Sequence, residues 1–403
     1  MGQVRKVVLA YSGGLDTSII IAWLKENYGC EVVALIGDVG QGDAAAAKRK
    51  ALKTGACKAV VADQRREFLE DYCFKALRAQ AKYEGYYLLG TSLARPAIAK
   101  AMVECALREK ADAVAHGATG KGNDQVRFDL TVMALAPQLR IIAPWREWDI
   151  RSREDAMEYA AARGIPVPTT RKRPYSMDGN LWHLSHEGGE LEDPWNKPDE
   201  HVFLTTRDPR KAPKRPLDLI VHFEKGIPKG LNHCKPGSVR MVECLNKLGG
   251  AYGIGRVDIV ENRLVGMKSR GVYESPAATI LYEAHRALQA LTVERDTLHL
   301  AQTLSPRYAE LIYNGQWFSP ARESVEAFFA EMQKNVTGDV RVTLTPGIVT
   351  ATGARSPHSL YQEDLATFGV DAVYDQKDAK GFITLFGLPM KVAGAVKRRA
   401  KRS

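Results

Sequence analysis

The chain has 403 residues, of which 45% are hydrophobic, and a formal net charge of +10. This size and composition allow large buried cores in two or more domains and exclude a disordered or fibrous protein. The longest strictly apolar run, Ile19–Leu24, is far shorter than the roughly 18 residues that a membrane span needs. We therefore expect no membrane segment, no signal peptide and a cytoplasmic location.

Two short basic segments account for most of the net charge. The last seven residues carry five positive charges, and Arg207–Arg215 adds a net four, so these segments hold nine of the ten excess charges. Charge runs of this kind usually form a solvated face or tail, and no base-stacking aromatic platform accompanies them. We therefore expect no nucleic-acid partner.

The six cysteines form no C-x-x-C pair and stand singly in periodic segments. This pattern predicts reduced thiols in the core, without disulfides or a structural zinc site. The cysteines are Cys30, Cys57, Cys73, Cys105, Cys234 and Cys244.

The first half of the chain alternates apolar runs with segments of helical periodicity. The runs that predict strands are Val4–Ala10, Val32–Ile36, Ala59–Ala62, Ala113–His116 and Ile141–Ala143. The helical segments between them run over Thr17–Gly29, Ala44–Lys53, Phe68–Ala76, Ile98–Glu109 and Leu130–Ala136. Such alternation predicts an α/β fold with a parallel, doubly wound sheet and ligands at the carboxyl ends of its strands.

The alternation stops near residues 164–168, where prolines and basic residues begin. The second half predicts an α+β domain, with strands at Leu217–Phe223 and Val340–Leu344 and helices at Ile280–Leu304 and Ser324–Lys334. A last amphipathic segment, Phe386–Arg399, predicts a helix that docks on a neighbouring subunit. The predicted divisions are 1–168, 169–375 and a helical tail over 376–403.

The segment AYSGGLDTS, Ala10–Ser18, joins the first strand to the first helix. Gly13 and Gly14 let backbone N–H groups approach an anion, and the helix beginning near Thr17 directs its positive end to the same place. The segment therefore suits a phosphate or pyrophosphate. A tight turn with Asp16 or Thr17 as the helix N-cap is the alternative interpretation.

Other nucleotide and metal patterns fit the chain less well. The one Gly-Lys pair, Gly120-Lys121, lacks the first glycine and the final hydroxyl residue of a Walker A loop. Gly40–Ala45 matches G-x-G-x-x-A, but it begins four residues beyond its strand, where a dinucleotide loop would follow at once. His183 and His186 have metal-ligand spacing without a third ligand nearby, so we expect them to face the cleft or the surface.

SGGLDTS resembles the pyrophosphatase loop of enzymes that cleave ATP between its α and β phosphates. Further motifs narrow the resemblance: Gly90–Pro96 (GTSLARP), His116–Phe128 (HGATGKGNDQVRF), Tyr175–Asp178 (YSMD), Glu261–Arg263 (ENR) and Gly266–Gly271 (GMKSRG). Together they span nearly the whole chain and closely resemble the argininosuccinate synthase family.

The resemblance implies an adenine nucleotide alpha-hydrolase-like domain, followed by an α+β synthetase domain and a C-terminal helical tail. It implies an AMP-forming ligase that joins L-citrulline to L-aspartate through a citrullyl-adenylate, a step of arginine biosynthesis or the urea cycle. Mg-ATP would be a co-substrate, with no prosthetic group or structural metal, and the assembly would be a homotetramer.

The resemblance also implies the site residues. For ATP they are Ala10, Tyr11, Ser12, Gly13, Gly14, Leu15, Asp16, Thr17, Ser18, Gly37 and Gly117. For citrulline they are Tyr87, Ser92, Asn123, Arg127, Ser176, Ser185, Glu261 and Tyr273, and for aspartate Thr119, Asn123 and Asp124. The catalytic set is Ser12, Asp16, Asp124 and Arg127.

The sequence allows alternatives at three points. Asp16 either orients the loop or reaches a magnesium ion. Asp129 stands where the family is expected to have Glu, which puts a local contact in doubt. A tRNA-modifying enzyme that uses the same loop and a non-catalytic nucleotide- or RNA-binding protein are the competing hypotheses.

Overall fold

In a computed structural model the chain forms two compact units, Met1–His358 and Ser359–Ser403. The residues described are 3–42, 44–120, 122–150, 152–166, 175–367, 369 and 373–402. The predicted boundary between residues 168 and 169 lies outside the described residues. The division after His358 comes before the predicted start of the tail at 376.

The first sheet has five parallel strands in the order β3-β2-β1-β4-β5. Its strands are β1 (Lys6–Ala10), β2 (Glu31–Asp38), β3 (Lys58–Asp63), β4 (Ala113–Ala115) and β5 (Arg140–Ile142). The associated α-helices are α1 (Leu15–Tyr28), α2 (Ala44–Lys53), α3 (Arg65–Glu67), α4 (Phe74–Arg78), α5 (Gly90–Glu109), α6 (Asp124–Leu135) and α7 (Arg153–Ala162), and a π-helical turn, Phe68–Cys73, joins α3 to α4. The prediction of a parallel, doubly wound α/β fold is confirmed.

Strand β1 lies at the centre of this sheet and is covered on both faces. Val7 and Leu9 pack on one side with Ile20 of α1, while Val8 packs on the other side with Met102 of α5. The strand order reverses between β1 and β4, the place where open parallel sheets bind ligands. The carboxyl ends of these two strands position the site.

Two helices begin earlier than their hydrophobic periodicity predicts. Helix α5 starts at Gly90 instead of Ile98, and α6 starts at Asp124 instead of Leu130. The early turns of both helices carry polar side chains that line a cavity, such as Arg95 and Asp124, among core residues such as Leu93, so the hydrophobic period is interrupted there.

The second half of the first unit contains two antiparallel four-stranded sheets, ordered β10-β11-β7-β6 and β13-β12-β8-β9. The strands are β6 (Ser176–Gly179), β7 (Leu184–Glu187), β8 (Leu217–Glu224), β9 (Ile227–Leu231), β10 (Arg256–Asn262), β11 (Lys268–Glu274), β12 (Gly338–Thr345) and β13 (Ile348–Arg355). The helices are α8 (Ser238–Ala251), α9 (Pro276–Thr292), α10 (Arg295–Tyr313) and α11 (Pro320–Met332). This arrangement confirms the predicted α+β architecture.

The single helical stretch predicted over Ile280–Leu304 is wrong, because the chain breaks between α9 and α10. Glu294 is extended, with φ −62° and ψ 148°, and its carboxylate accepts the backbone N–H groups of Asp296 and Thr297. A side-chain cap of this kind starts a new helix without interrupting the hydrophobic period.

The second unit contains α12 (Glu363–Ala366), α13 (Asp378–Phe386) and α14 (Leu388–Ala400). Phe386, where a helix was predicted to start, is the last residue of α13. Among the described residues no single helix is long and apolar enough to cross a membrane, and one bent pair, α13 with α14, reaches that length and composition jointly.

All six cysteines are free thiols, but only three are in the core. Cys30, Cys73 and Cys105 are buried. The prediction is wrong for the exposed residues, since one lies in the turn before β3, one follows β9 and one lies on α8. They are Cys57, Cys234 and Cys244.

Candidate active site

Two adjoining cavities lie at the carboxyl ends of β1 and β4. The nucleotide cavity, as we name the smaller one, has a volume of about 220 Å³, and the substrate cavity has a volume of about 410 Å³. Six residues line both and so mark the boundary between them. They are Ser12, Arg95, Gly117, Ala118, Asp124 and Asp178.

The loop after β1 folds as an anion-binding turn. Gly13 has φ +83°, a conformation that side chains other than glycine's rarely adopt, and a Cβ there would lie 3.3 Å from the Cβ of Ala47. Gly14 is the N-cap of α1 and offers no side chain to accept the first-turn N–H groups. The alternative with Asp16 or Thr17 as N-cap is therefore wrong, and this helix end suits an anionic ligand.

Hydroxyl groups and one lysine support this loop. Ser12 Oγ lies 3.1 Å from Thr17 Oγ1, and Ser18 Oγ donates to the Gly14 carbonyl at 2.6 Å. Lys50 Nζ donates to the Gly13 carbonyl at 2.7 Å, and burial lowers the pKa of this ammonium. Lys50, which sequence analysis missed, brings a positive charge to the loop from α2.

The nucleotide cavity has an apolar side beyond the loop. Leu35, Ile98 and Phe128 line it. Gly37, at the carboxyl end of β2, keeps this side open, because a Cβ there would lie 2.9 Å from Ile98 Cγ1. Apolar walls with few polar groups are typical of sites for flat rings.

A chain of alternating carboxylates and guanidiniums crosses the boundary between the cavities. Arg95 Nε donates to Asp124 Oδ2 at 2.8 Å, and its Nη2 lies 3.0 Å from Asp178 Oδ2. Asp124 Oδ1 accepts Arg127 Nη1 at 2.9 Å. Burial raises the pKa of Asp124, but the two guanidiniums outweigh burial and the pKa lies below its ordinary value, so this carboxylate is charged.

Two residues of the α6 amino-terminal region connect the first sheet to later parts of the chain. Asn123 Oδ1 accepts the Leu264 N–H at 2.9 Å. Arg127 Nε donates to the Tyr313 carbonyl at 3.1 Å, and its guanidinium lies 5.0 Å from the centre of that ring. Arg127 is buried, and these contacts hold its guanidinium in one geometry.

The antiparallel sheet ordered β10-β11-β7-β6, which we name the second sheet, supplies the far wall of the substrate cavity. Tyr273 OH donates to Glu261 Oε1 at 3.1 Å, and Glu187 Oε2 lies 2.5 Å from Arg263 Nη2. Burial, followed by the charge of Glu187, raises the pKa of Glu261 to about 6. This wall therefore presents an acid that titrates near neutral pH beside a fixed ion pair.

The cavities bring together most of the residues that sequence analysis assigned to them. The substrate cavity is lined by Ser12, Asp16, Tyr87, Gly117, Thr119, Asn123, Asp124, Arg127, Ser176, Ser185, Glu261 and Tyr273. The nucleotide cavity is lined by Ala10, Tyr11, Ser12, Thr17, Gly37 and Gly117. The assigned residues outside both linings are Gly13, Gly14, Leu15, Ser18 and Ser92. Ser92 is fully buried in the first turn of α5.

Several lining residues were not assigned from the sequence. Thr91, Arg95, Asp178 and Arg263 stand within motifs that carry the family resemblance, so those motifs could have indicated them. Glu187 lies outside those motifs and pairs with Arg263, 76 positions further along the chain.

The histidine pair is placed differently from the prediction. His183 and His186 are both buried. His183 Nε2 lies 3.0 Å from Thr91 Oγ1, and burial lowers the pKa of His183 to about 4. His186 Nε2 lies 3.0 Å from Glu274 Oε1, away from cleft and surface. No group of three or more potential metal ligands occurs among the described residues.

The fold and the site define a class. The parallel sheet carries a glycine loop where its strand order reverses, and the cavity beside it contains paired carboxylates and guanidiniums. This combination is typical of enzymes that use a nucleotide to act on charged small molecules. Residues 6–166 match the family described as arginosuccinate synthase N-terminal HUP domain, and residues 175–393 match the arginosuccinate synthase C-terminal domain.

Curated relatives agree over the full length. The chain is 60% identical over 403 residues to the argininosuccinate synthase of Acetivibrio thermocellus, with 100% of both chains covered. It is 59% identical over 398 residues to that of Pelotomaculum thermopropionicum, with 98% of this chain and 99% of the relative covered. The chain belongs to the argininosuccinate synthase family and is a carbon–nitrogen ligase. This sets aside the tRNA-modifying and non-catalytic alternatives.

Proposed function

We propose that this chain condenses L-citrulline with L-aspartate at the two adjoining cavities, with ATP cleaved to AMP and pyrophosphate. The observation that carries this assignment is their shared boundary. A nucleotide held by the Ser12–Ser18 loop in one cavity would present its α phosphate to an amino acid in the other, because Ser12 and Arg95 line both.

The first step activates citrulline. Its ureido carbon is a poor electrophile because two nitrogens donate electrons into it. The ureido oxygen attacks the α phosphorus of ATP, the α–β bond breaks and pyrophosphate leaves, which gives a citrullyl-adenylate. Ser12, the glycine loop and the α1 amino terminus would bind the phosphates, and Gly37 would lie at the adenine. Positioning and charge stabilisation then supply the catalysis.

The charged groups of citrulline match the walls of the substrate cavity. Arg127 would bind its carboxylate, because a buried guanidinium that is already oriented makes strong charge-assisted hydrogen bonds. The carboxylate of Glu261 would bind the α-ammonium of citrulline. Tyr273 would orient the Glu261 carboxylate through the hydrogen bond that it donates to it. Tyr87 and two of the assigned serines, Ser176 and Ser185 on the second sheet, line the same space. Ser92, also assigned to citrulline, is buried in the first turn of α5 outside this lining.

In the second step the aspartate amine attacks the activated carbon and displaces AMP, whose phosphate keeps the former ureido oxygen. Asp124 would accept the aspartate ammonium, while Thr119 and Asn123 would donate to its carboxylates. The ammonium loses one proton to solvent before its nitrogen attacks the activated carbon. Asp124, held charged by Arg95 and Arg127, orients the amine.

Magnesium would accompany ATP. The carboxylate of Asp16 and the hydroxyl of Ser12 line the substrate cavity beside the phosphate loop, and oxygen donors of this kind fit Mg²⁺. When bound, the ion would neutralise charge on the departing pyrophosphate. We assign Asp16 to this ion in preference to orienting the loop alone.

We also assign a cytoplasmic homotetramer with divisions at 1–168, 169–375 and 376–403. The family matches at 6–166 and 175–393 support the first division. The tail carries exposed apolar side chains on α13 and α14, including Phe386 at 74% and Met390 at 79%, which supports docking against another subunit. Truncation before Phe386 should change the mass measured by light scattering, and an unchanged mass would rule out docking through this tail.

The decisive experiment follows the ureido oxygen. Citrulline labelled with ¹⁸O at the ureido position is incubated with Mg-ATP and aspartate, and the products are examined by mass spectrometry. The proposal requires one labelled AMP for each argininosuccinate, with aspartate needed for C–N bond formation. Unlabelled AMP would exclude citrulline as the nucleophile. Asp124→Asn should reduce the use of aspartate, while Glu26→Gln, on an exposed ion pair with Arg163, should not.

A further inference from the structure

The loop after β4 carries residues of both cavities. This aspartate loop, Gly117–Gly122, is described except for Lys121. Gly117 and Ala118 line both cavities, while Thr119 and Gly122 line the substrate cavity. A loop rich in glycine holds one conformation only when something outside it fixes its backbone. The structure shows two such connections, one at Ala118 and one at Gly120.

The first connection runs through a buried histidine. The Ala118 N–H donates to His116 Nδ1 at 3.3 Å, so the proton of the neutral ring lies on Nε2. Nε2 in turn donates to Asp129 Oδ1 at 2.8 Å. The imidazole stacks on Phe128 with a centroid distance of 5.1 Å, and Phe128 lines the nucleotide cavity.

The second connection begins at Gly120, two residues further along the loop. Gln125 Nε2 donates to the Gly120 carbonyl at 2.6 Å, and Gln125 Oε1 accepts Arg146 Nε at 3.1 Å. Arg146 Nη1 then donates to Asp129 Oδ2 at 2.8 Å. The two connections therefore meet at the carboxylate of Asp129, one on each oxygen.

The shorter side chain of Asp129 does not prevent these contacts. Its carboxylate is mostly buried, with 14% of the side chain exposed. Burial raises its pKa, but the hydrogen bonds from His116 and Arg146 outweigh burial and lower it, so the group is charged. The local contact that was in doubt from the sequence is thus made by Asp in this chain.

We propose that Arg146, Asp129, His116 and Gln125 form a closed hydrogen-bonded belt that positions Thr119 for aspartate. Thr119 lies between the two points, Ala118 and Gly120, that the belt holds. Arg146 and Gln125 line neither cavity, so they are positioning residues and act through the loop backbone. The inference deepens the proposed function and rests on the assignment of Thr119 to aspartate.

The sharpest test is Gln125→Glu. A glutamate keeps an acceptor for Arg146 and suits the first turn of a helix, so α6 should fold normally. It removes the donor to the Gly120 carbonyl and places a carboxylate oxygen against it. We expect the KM for aspartate to rise about fivefold, the worth of one ordinary hydrogen bond, with the KM for citrulline unchanged.

Arg146→Gln tests the shared end of the belt. Its matched control is Arg163→Gln, since Arg163 is similarly exposed and pairs with Glu26 away from the loop. Hydrogen exchange of the peptide covering residues 117–124 should be faster in Arg146→Gln than in the control. His116→Asn, whose amide oxygen can replace Nδ1, should retain more aspartate affinity than His116→Leu, which replaces neither ring nitrogen.

The outcomes are distinguishable. If the wild-type protein forms AMP with no dependence on aspartate, the assignment of Thr119 fails, and with it this inference. If the wild type depends on aspartate but Gln125→Glu and Arg146→Gln keep its KM and loop exchange, the belt has no positioning role. An equal rise in the KM values for aspartate and citrulline would also overturn it, because that pattern indicates a general structural defect.

Discussion

Glu187→Gln should extend citrulline binding to lower pH. Glu261, the proposed partner of the citrulline ammonium, is buried, and both burial and the Glu187 charge raise its pKa to about 6. As pH falls through this value, Glu261 is protonated and the attraction for the ammonium is lost. Glutamine keeps the volume of Glu187 and an acceptor for Arg263 but removes the negative charge that opposes ionisation of Glu261.

The magnitude follows from the titration of one carboxyl group. With a pKa of about 6, roughly a quarter of Glu261 is ionised near pH ~5.5, against about nine-tenths for a glutamate with the ordinary value of 4.5. Burial is the larger cause and remains in the variant, so we expect Glu187→Gln to lower the inflection by about half a pH unit. Near pH ~5.5 that shift corresponds to about a twofold gain in the ionised fraction.

The assay is kcat/KM for citrulline as a function of pH, at saturating aspartate and Mg-ATP. Glu192→Gln is the control, because it removes a carboxylate from the neighbouring cavity lined by Arg270 and Gly189. Glu187→Gln should shift the acidic limb of the pH profile to lower pH, and Glu192→Gln should leave that limb unchanged. An unmoved limb, an upward shift or equal shifts in both variants would refute the coupling between Glu187 and Glu261.

Two further changes test the boundary and the nucleotide cavity. Gly37→Ala should raise the KM for ATP about tenfold through overpacking, because its Cβ meets Ile98; comparable increases for the amino acids would contradict a nucleotide role. Arg95→Gln should lower the free energy of unfolding by about 3 kcal/mol in urea titrations, because it leaves Asp124 and Asp178 without a shared guanidinium. A loss below about 0.5 kcal/mol, typical of surface changes, would show that this pairing is not stabilising.

The sequence predicts the centre of the first sheet well because β1, β2 and β4 are buried on both faces. A continuous apolar run of strand length followed by a glycine favours a buried strand. Helix α2 was predicted with its observed limits, Ala44–Lys53. The amino-terminal turns of α5 and α6 were missed for the opposite reason. They mix core residues such as Leu93 and Ala97 with polar residues that line the cavities, such as Arg95, so the hydrophobic period is interrupted where the site is built.

The site could be predicted where a residue acts within a local motif and not where it acts through a distant partner. The glycine loop can be recognised in the sequence because its backbone geometry constrains which residues can form it. Arg95 acts through Asp124 and Asp178, which are 29 and 83 positions away in the sequence. Nothing in the sequence around Arg95 specifies that pairing. Gln125 and Arg146 are similar, since their hydrogen bond joins the first turn of α6 to the segment that follows β5.

The boundary between the cavities explains how one site can serve two successive reactions. Adenylation requires the α phosphate close to the citrulline oxygen, and the next step requires the aspartate amine close to the same carbon. Arg95 lies on α5 beside the first sheet, and its partner Asp178 belongs to the second sheet. One guanidinium therefore ties the wall of the proposed nucleotide site to the wall of the proposed citrulline site. The aspartate loop, whose Gly117 and Ala118 line both cavities, extends the same connection to the proposed aspartate site.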